Sequence, residues 1–212
     1  MTKFALSFAA CFATLATSAS AATQAELEAQ ARKGMGLIAP YIILMDSSHV
    51  GPYTDKDPNS AQGRADLREG IALLETVTSE RPDFWAGFVL IAKAHQTRGE
   101  HVAAYQALRQ AYGLHPPDQS GVSREYALEA LCTHHDDEAV TTARQDAAAH
   151  PDNAILASNL GFILLGVGQL DGAEAATRRS LKLAPTDPVT QRQLRDIAGA
   201  RTGTVVPRRC FP

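Results

Sequence analysis

The sequence predicts an all-α fold, a superhelix of antiparallel helix pairs with N- and C-terminal capping segments. Two observations predict it. Pro82, Pro116, Pro151 and Pro185 recur at intervals of 34, 35 and 34 residues, each after a stretch that reads as the second helix of a pair. A constant period in that range marks stacked helical units. The composition agrees, since 45% of the residues are hydrophobic, with alanine carrying much of that share, while only 6% are aromatic. Closely packed helices need such small side chains at their contacts. Each unit exposes an apolar face that only its neighbours cover, so stacking builds an extended curved surface suited to holding another molecule.

Residues 1–22 read as a secretory signal peptide. Lys3 supplies the positive charge, Phe4 to Ala16 is almost wholly apolar, and Ala19-Ser20-Ala21 offers small residues for cleavage near Ala21 or Ala22. The apolar run is too short for a membrane span, so no stable membrane insertion is expected after cleavage. Lipidation at Cys11 is disfavoured because too little hydrophobic segment precedes Phe8-Ala9-Ala10-Cys11. Cleavage removes Lys3 and no acid, so 20 basic against 23 acidic residues becomes 19 against 23, a net charge of -4. That balance does not suit nucleic acid as a partner. Export points to the periplasm of a Gram-negative bacterium.

Residues 23–64 read as an N-terminal helix, an apolar cap segment and a polar loop. Thr23 and Glu26 have capping-box spacing before a helix that runs to about Ile38, where Pro40 interrupts. The dense cluster Tyr41, Ile42, Ile43, Leu44 and Met45 is expected to cover the exposed end of the array. The alternative is a homo-oligomer formed through the same five residues. Asp46 to Gly63 is too rich in Gly, Pro, Asp and Ser to form a helix.

The repeat array spans 65–187. Leu67, Ile71, Leu74 and Val77 form the apolar stripe of a half repeat at 65–84. In 85–119, Phe88, Ala92 and His95 lie along the first helix, Gly99 makes the turn, and Ala104, Leu108, Ala111 and Leu114 follow before Pro116. The unit 120–153 is degenerate, with Tyr126, Leu128 and Leu131 in its first helix, Ala139, Ala143 and Ala147 in its second, and two histidines and two aspartates in the turn. The clearest unit is 154–187. There Asn159-Leu160-Gly161 sits mid-helix, Gly168 turns, Ala173 enters the second helix, and Leu181, Leu183 and Pro185 close it. Small residues at Gly161 and Ala173 permit close approach of the paired helices. This pattern resembles the tetratricopeptide repeat (TPR) family, over Trp85 to Asp187 most clearly and back to about Ala65 in part, and the resemblance implies a right-handed superhelix. Residues 188–200 suit a solvating C-terminal cap helix, and 201–212 read as a flexible tail.

Candidate chemistry is sparse. Cys132, His134, His135, Asp136 and Asp137 include every common transition-metal ligand type, but neighbours on one turn rarely converge on one ion, so solvent-facing turn residues are the expectation. His115 and His150 precede Pro116 and Pro151 and suit helix C-termini. Asp55, Asp57, Asn59, Ser60 and Asp66 space oxygens in the manner of a calcium loop but lack its glycine and final glutamate. A plain polar connection is therefore expected there. Once Cys11 is cleaved away, Cys132 and Cys210 are the remaining thiols. They either pair, closing a loop worth about 4 kcal/mol, or Cys132 fills a small space while Cys210 lies in a loose tail; the second is the simpler expectation. No nucleophile elbow, phosphate-binding loop, dinucleotide fingerprint or Cys-x-x-Cys pair occurs. Neither an enzyme nor a cofactor is expected.

The resemblance implies that the concave face is lined mainly by the first helix of each pair. By helical phase that face comprises Val89, Lys93, Gln96, Arg124, Leu128, Leu131, Ser158, Phe162 and Leu165, with Leu131, Phe162 and Leu165 equally readable as core. Two cations among apolar side chains suit an extended peptide carrying acidic and hydrophobic residues. The function expected is a periplasmic scaffold or adaptor that binds a protein or peptide partner, assisting assembly, secretion or maturation of another exported protein. The alternatives are a structural or assembly subunit using the apolar N-terminal segment, and a metal-binding accessory protein.

Overall fold

The computed structural model describes residues 23–42, 56–116 and 119–210. The leader, Ile43, Leu44, Met45 and Asp55 lie outside the described residues. Within them the regular structure is helical: α1 (Gln24–Ile38), a 3-10 turn (Ala39–Tyr41), α2 (Ala61–Glu80), α3 (Trp85–Thr97), α4 (His101–Gly113), α5 (Gln119–Cys132), α6 (Asp136–Ala149), α7 (Ala154–Gly166), α8 (Leu170–Leu183) and α9 (Pro188–Thr202). Among the described residues, no helix is long and apolar enough to cross a membrane.

Local chemistry sets the helix ends. The capping box forms: Thr23 Oγ1 accepts from the Glu26 N–H, while the Glu26 carboxylate accepts from the Thr23 N–H at 2.7 Å. Asn153 and Asp187 cap α7 and α9 by accepting from the first backbone donors of each helix. The turns within the three downstream pairs share one geometry. Glu100, His135 and Gln169 donate their N–H to the carbonyls of His95, Ala130 and Leu164, across Gly99 (φ +70°), His134 (φ +63°) and Gly168 (φ +80°). This is the Schellman closure, which needs a left-handed residue at its centre. The degenerate unit thus keeps the backbone of its neighbours while placing histidine where they use glycine. His115 and His150 are not conformationally equivalent, with φ of +49° and -124°.

Helices α1/α2, α3/α4, α5/α6 and α7/α8 pack as pairs, and each second helix also packs on the next first helix. The segment upstream of Pro82, expected to be half a unit closed by the N-terminal helix, has a full partner in α1. Gln24 meets Arg81 at one end and Tyr41 donates to Asp66 at the other, at 2.7 Å, which makes the pair antiparallel. Between those ends a methyl on Gly70 would lie 2.6 Å from Ile38 Cγ1 and 3.0 Å from the Gly34 carbonyl. At Gly161 an added carbon would lie 2.4 Å from Thr177 Oγ1 and Gln193 Nε2. Beside it, Ala173 is fully buried.

One contiguous core runs through the array, including Ile38, Leu67, Leu74, Leu108, Leu131, Ile163 and Ile197, each contributing roughly 1.5–3 kcal/mol by burial. Tyr41 and Ile42 belong to it, at 1% and 3% exposed. Those two residues are therefore spent within the chain rather than offered to a second copy. The oxygens spaced in the manner of a calcium loop likewise have other work: Asp66 accepts from Tyr41 and Gln62, Asp57 from the Asn59 N–H, and Ser60 caps α2.

The tail departs from expectation. Residues after α9 return across the last pairs, where Arg209 donates to the Gly166 carbonyl at 2.9 Å and pairs with Asp136. Cys210 is disulfide-bonded to Cys132, with Cα atoms 4.9 Å apart, inside the range a disulfide spans. A loose tail with unpaired thiols is thereby corrected. Helical periodicity could not reveal this docking, because no repeat pattern places it.

Candidate functional site

The first helices of successive pairs form one face of the molecule: α1 touches α3, α5 touches α7, and α7 touches α9. An ion pair joins α3 to α5. Lys93 Nζ lies 2.7 Å from Glu125 Oε2, with the two side chains only 13% and 10% exposed. Gln96 donates to Glu125 at 3.1 Å and to Glu129 at 3.0 Å. Arg124 also reaches Glu125, at 3.3 Å, and His101 Nδ1 lies 3.0 Å from Glu129. Burial would push the Glu125 carboxyl up, but Lys93, Arg124 and Gln96 together hold it below the usual carboxylate range.

This network corrects the expected electrostatics of the groove. Lys93 and Arg124 are not two unpaired cations awaiting an acidic guest, because Glu125 already engages both. Sequence reasoning missed Glu125 and Glu129. Their spacing of four residues was the available signal, since it places both carboxylates on one side of α5.

The remaining expected residues divide by burial. Val89, Leu128 and Phe162 are half-buried on the face, whereas Leu131 and Leu165, at 0% and 4% exposed, are core. Helical phase alone leaves these two readable as face or core, and the packing of α5 and α7 against several neighbours makes them core. Ser158 hydrogen-bonds Thr190 at 3.0 Å and Gln193 at 3.3 Å, tying α7 to α9. Beneath the face, a cavity of about 10 Å³ is lined by Arg124, Ala127, Ala143, Asp146, Leu156, Asn159 and Ile163. Arg124 Nε and Asn159 Nδ2 are buried there without a hydrogen bond.

The turn after α5 does not gather its ligand-type residues. His135 stacks on Tyr105 with ring centroids 4.1 Å apart, Asp136 pairs with Arg209, and His134 and Asp137 are exposed. Tyr105 stacks in turn on Tyr126, and Tyr126 on Tyr112, while both Tyr105 and Tyr126 donate to Glu138. The Tyr126 bond holds the Glu138 carboxyl below its usual range despite partial burial, with Tyr105 adding to the effect. Burial first, and then the bond to Glu138, pushes the Tyr126 hydroxyl far above the usual phenol range.

No protein-family model and no curated protein matches this sequence. Solved structures do. A MamA structure superposes with a TM-score of 0.61 at 12% identity, covering 84% of this chain and 85% of its own. The chain has the tetratricopeptide-repeat fold. MamA from Desulfovibrio magneticus RS-1 aligns with a TM-score of 0.56 at 18% identity, over 66% of this chain and 78% of that one. YrrB, described as a TPR protein with an unusual peptide-binding site, gives 0.55 at 9% identity over 66% and 72%. At these identities the likeness concerns the fold. In this TPR array the face built by α1, α3, α5, α7 and α9 has Lys93, Gln96 and Arg124, with Glu125, as its polar centre.

Proposed function

We propose that the protein is an exported, periplasmic scaffold that holds a protein or peptide partner on the face of its first helices, assisting the assembly, secretion or maturation of another exported protein. The observation that carries the reading is the half-buried apolar set Val89, Leu128 and Phe162 on α3, α5 and α7, together with the Lys93–Glu125–Gln96 network that joins α3 to α5. Apolar contacts would supply affinity, and the nearly neutral polar centre would orient the partner's backbone or polar side chains, in place of a cationic groove selecting acidic peptides. The peptide-binding site named for YrrB supports a peptide or protein guest. The apolar stretch before Thr23 supports export.

Photo-crosslinking in living cells tests the reading. A photoreactive residue at Leu128 or Val89 is expected to capture one defined partner, while the same residue at exposed Arg178 on α8 does not. Equal capture at all three positions, or none at Leu128 and Val89, overturns it. Export is read separately from the mature N-terminus: a periplasmic species beginning at Ala22 or Thr23 is expected, and an uncleaved chain retained in the cytoplasm contradicts it.

A further inference from the structure

Three ligand-type side chains from distant parts of the chain meet at the end of α5. His101 opens α4, Cys132 closes α5, and Cys210 lies in the returning tail; one ligand atom of each falls within 4.8 Å of the other two. None is fully buried, so an ion can reach them. The histidine is also oriented. Its Nδ1 faces the buried Glu129 carboxylate at 3.0 Å, which fixes the tautomer that leaves Nε2 with the free lone pair, and Glu129 is itself held by Gln96. A carboxylate behind an imidazole is the arrangement that orients metal-binding histidines.

We propose that the reduced Cys132–Cys210 pair and His101 form a three-ligand site for Cu(I). Two thiolates and one imidazole make a soft donor set, and three donors complete a trigonal Cu(I) shell, whereas structural zinc sites are generally closed by four. The oxidised pair presents no thiolate, so the site opens only on reduction. A dithiol reductant supplies two electrons and two protons, the Sγ–Sγ bond breaks, and the reductant leaves as its own disulfide. Cu(I) then displaces both thiol protons. The thiols stay together after the bond is cut, because Arg209, next to Cys210, remains anchored on the Gly166 carbonyl and on Asp136. The ligand-rich turn in the sequence contributes only Cys132 to this site; His101 and Cys210 come from elsewhere.

The test is titration of the full mature chain with Cu(I) in competition with bicinchoninate, under anaerobic conditions, after reduction with a phosphine and its removal. One Cu(I) per reduced chain is expected, with none held by the oxidised chain. His101→Ala is expected to weaken binding at least tenfold, Cys132→Ser and Cys210→Ser to abolish it, and His134→Ala, an exposed neighbour outside the site, to leave it unchanged. Unaltered helicity of each variant by circular dichroism excludes unfolding as the cause of a loss. Failure of the reduced chain to bind, equal binding by the oxidised chain, or full affinity in His101→Ala overturns the proposal.

Discussion

Lys93 and Glu125 form an ion pair 2.7 Å apart in which both side chains are almost wholly covered, and this pair bridges α3 and α5. Two charges withdrawn from water are stabilised only while both are present. Lys93→Met leaves Glu125 with Arg124 and Gln96 alone and is expected to cost about 2–3 kcal/mol by urea denaturation, below the figure for a fully isolated buried charge. Replacing both by methionine is expected to recover most of that loss. Additive losses in the double variant would show that the two residues do not act as a pair.

Acid sensitivity follows from this network and from the Glu138–tyrosine cluster. Glu125 and Glu138 both have carboxyls held below the usual range in the folded chain. A depressed carboxyl contributes stability that is present above the unfolded value, about pH 4.3, and is lost as pH falls through the folded value. Stability is therefore expected to be flat near neutrality and to fall below about pH 4.3, less steeply in Glu138→Gln. Melts across pH 3–7 check this, and an unchanged slope in Glu138→Gln would contradict the role of the two tyrosine hydroxyls.

His134 holds a left-handed backbone at the turn where the neighbouring units use Gly99 and Gly168. His134→Gly relieves that conformation at the expense of a more flexible unfolded chain, for a net gain of about 0.5–1 kcal/mol. Thermal unfolding reads it directly. A loss of stability would mean that the imidazole makes a contribution larger than the backbone term.

The approach of α1 to α2 depends on a missing side chain. Gly70→Ala places a methyl 2.6 Å from Ile38 Cγ1, itself fully buried, and the expected cost is about 1–2 kcal/mol after the gain in helix propensity. Ile38→Ala in the same chain, which removes Cγ1, should return part of it. Equal cost with and without Ile38→Ala would place the strain elsewhere.

The array was legible from the chain because its causes are local and repeated: prolines that end second helices, glycines at Gly99 and Gly168, small residues at Gly161 and Ala173, and the Thr23–Glu26 box. What escaped was produced by contacts distant in sequence. Pairing of α1 with α2 rests on Gly34, Gly70 and Ile38, separated by a connection far longer than the short turns within the other pairs. The polar centre depends on the register between α3 and α5, which brings Glu125 to Lys93, a relation that helical phase within one helix does not contain. The tail reads as loose because its composition is polar and glycine-bearing, yet Arg209, on the Gly166 carbonyl and Asp136, and the Cys132–Cys210 bond seat it.

The bond between Cys132 and Cys210 also makes the two ends of the molecule mechanically unequal. Helices α6 to α9 lie between the joined residues and so sit inside a covalent ring, while α1 to α4 are outside it. The link holds the carboxyl-terminal tail against the end of α5, so any widening of the array to admit a bulky guest must leave those two points together.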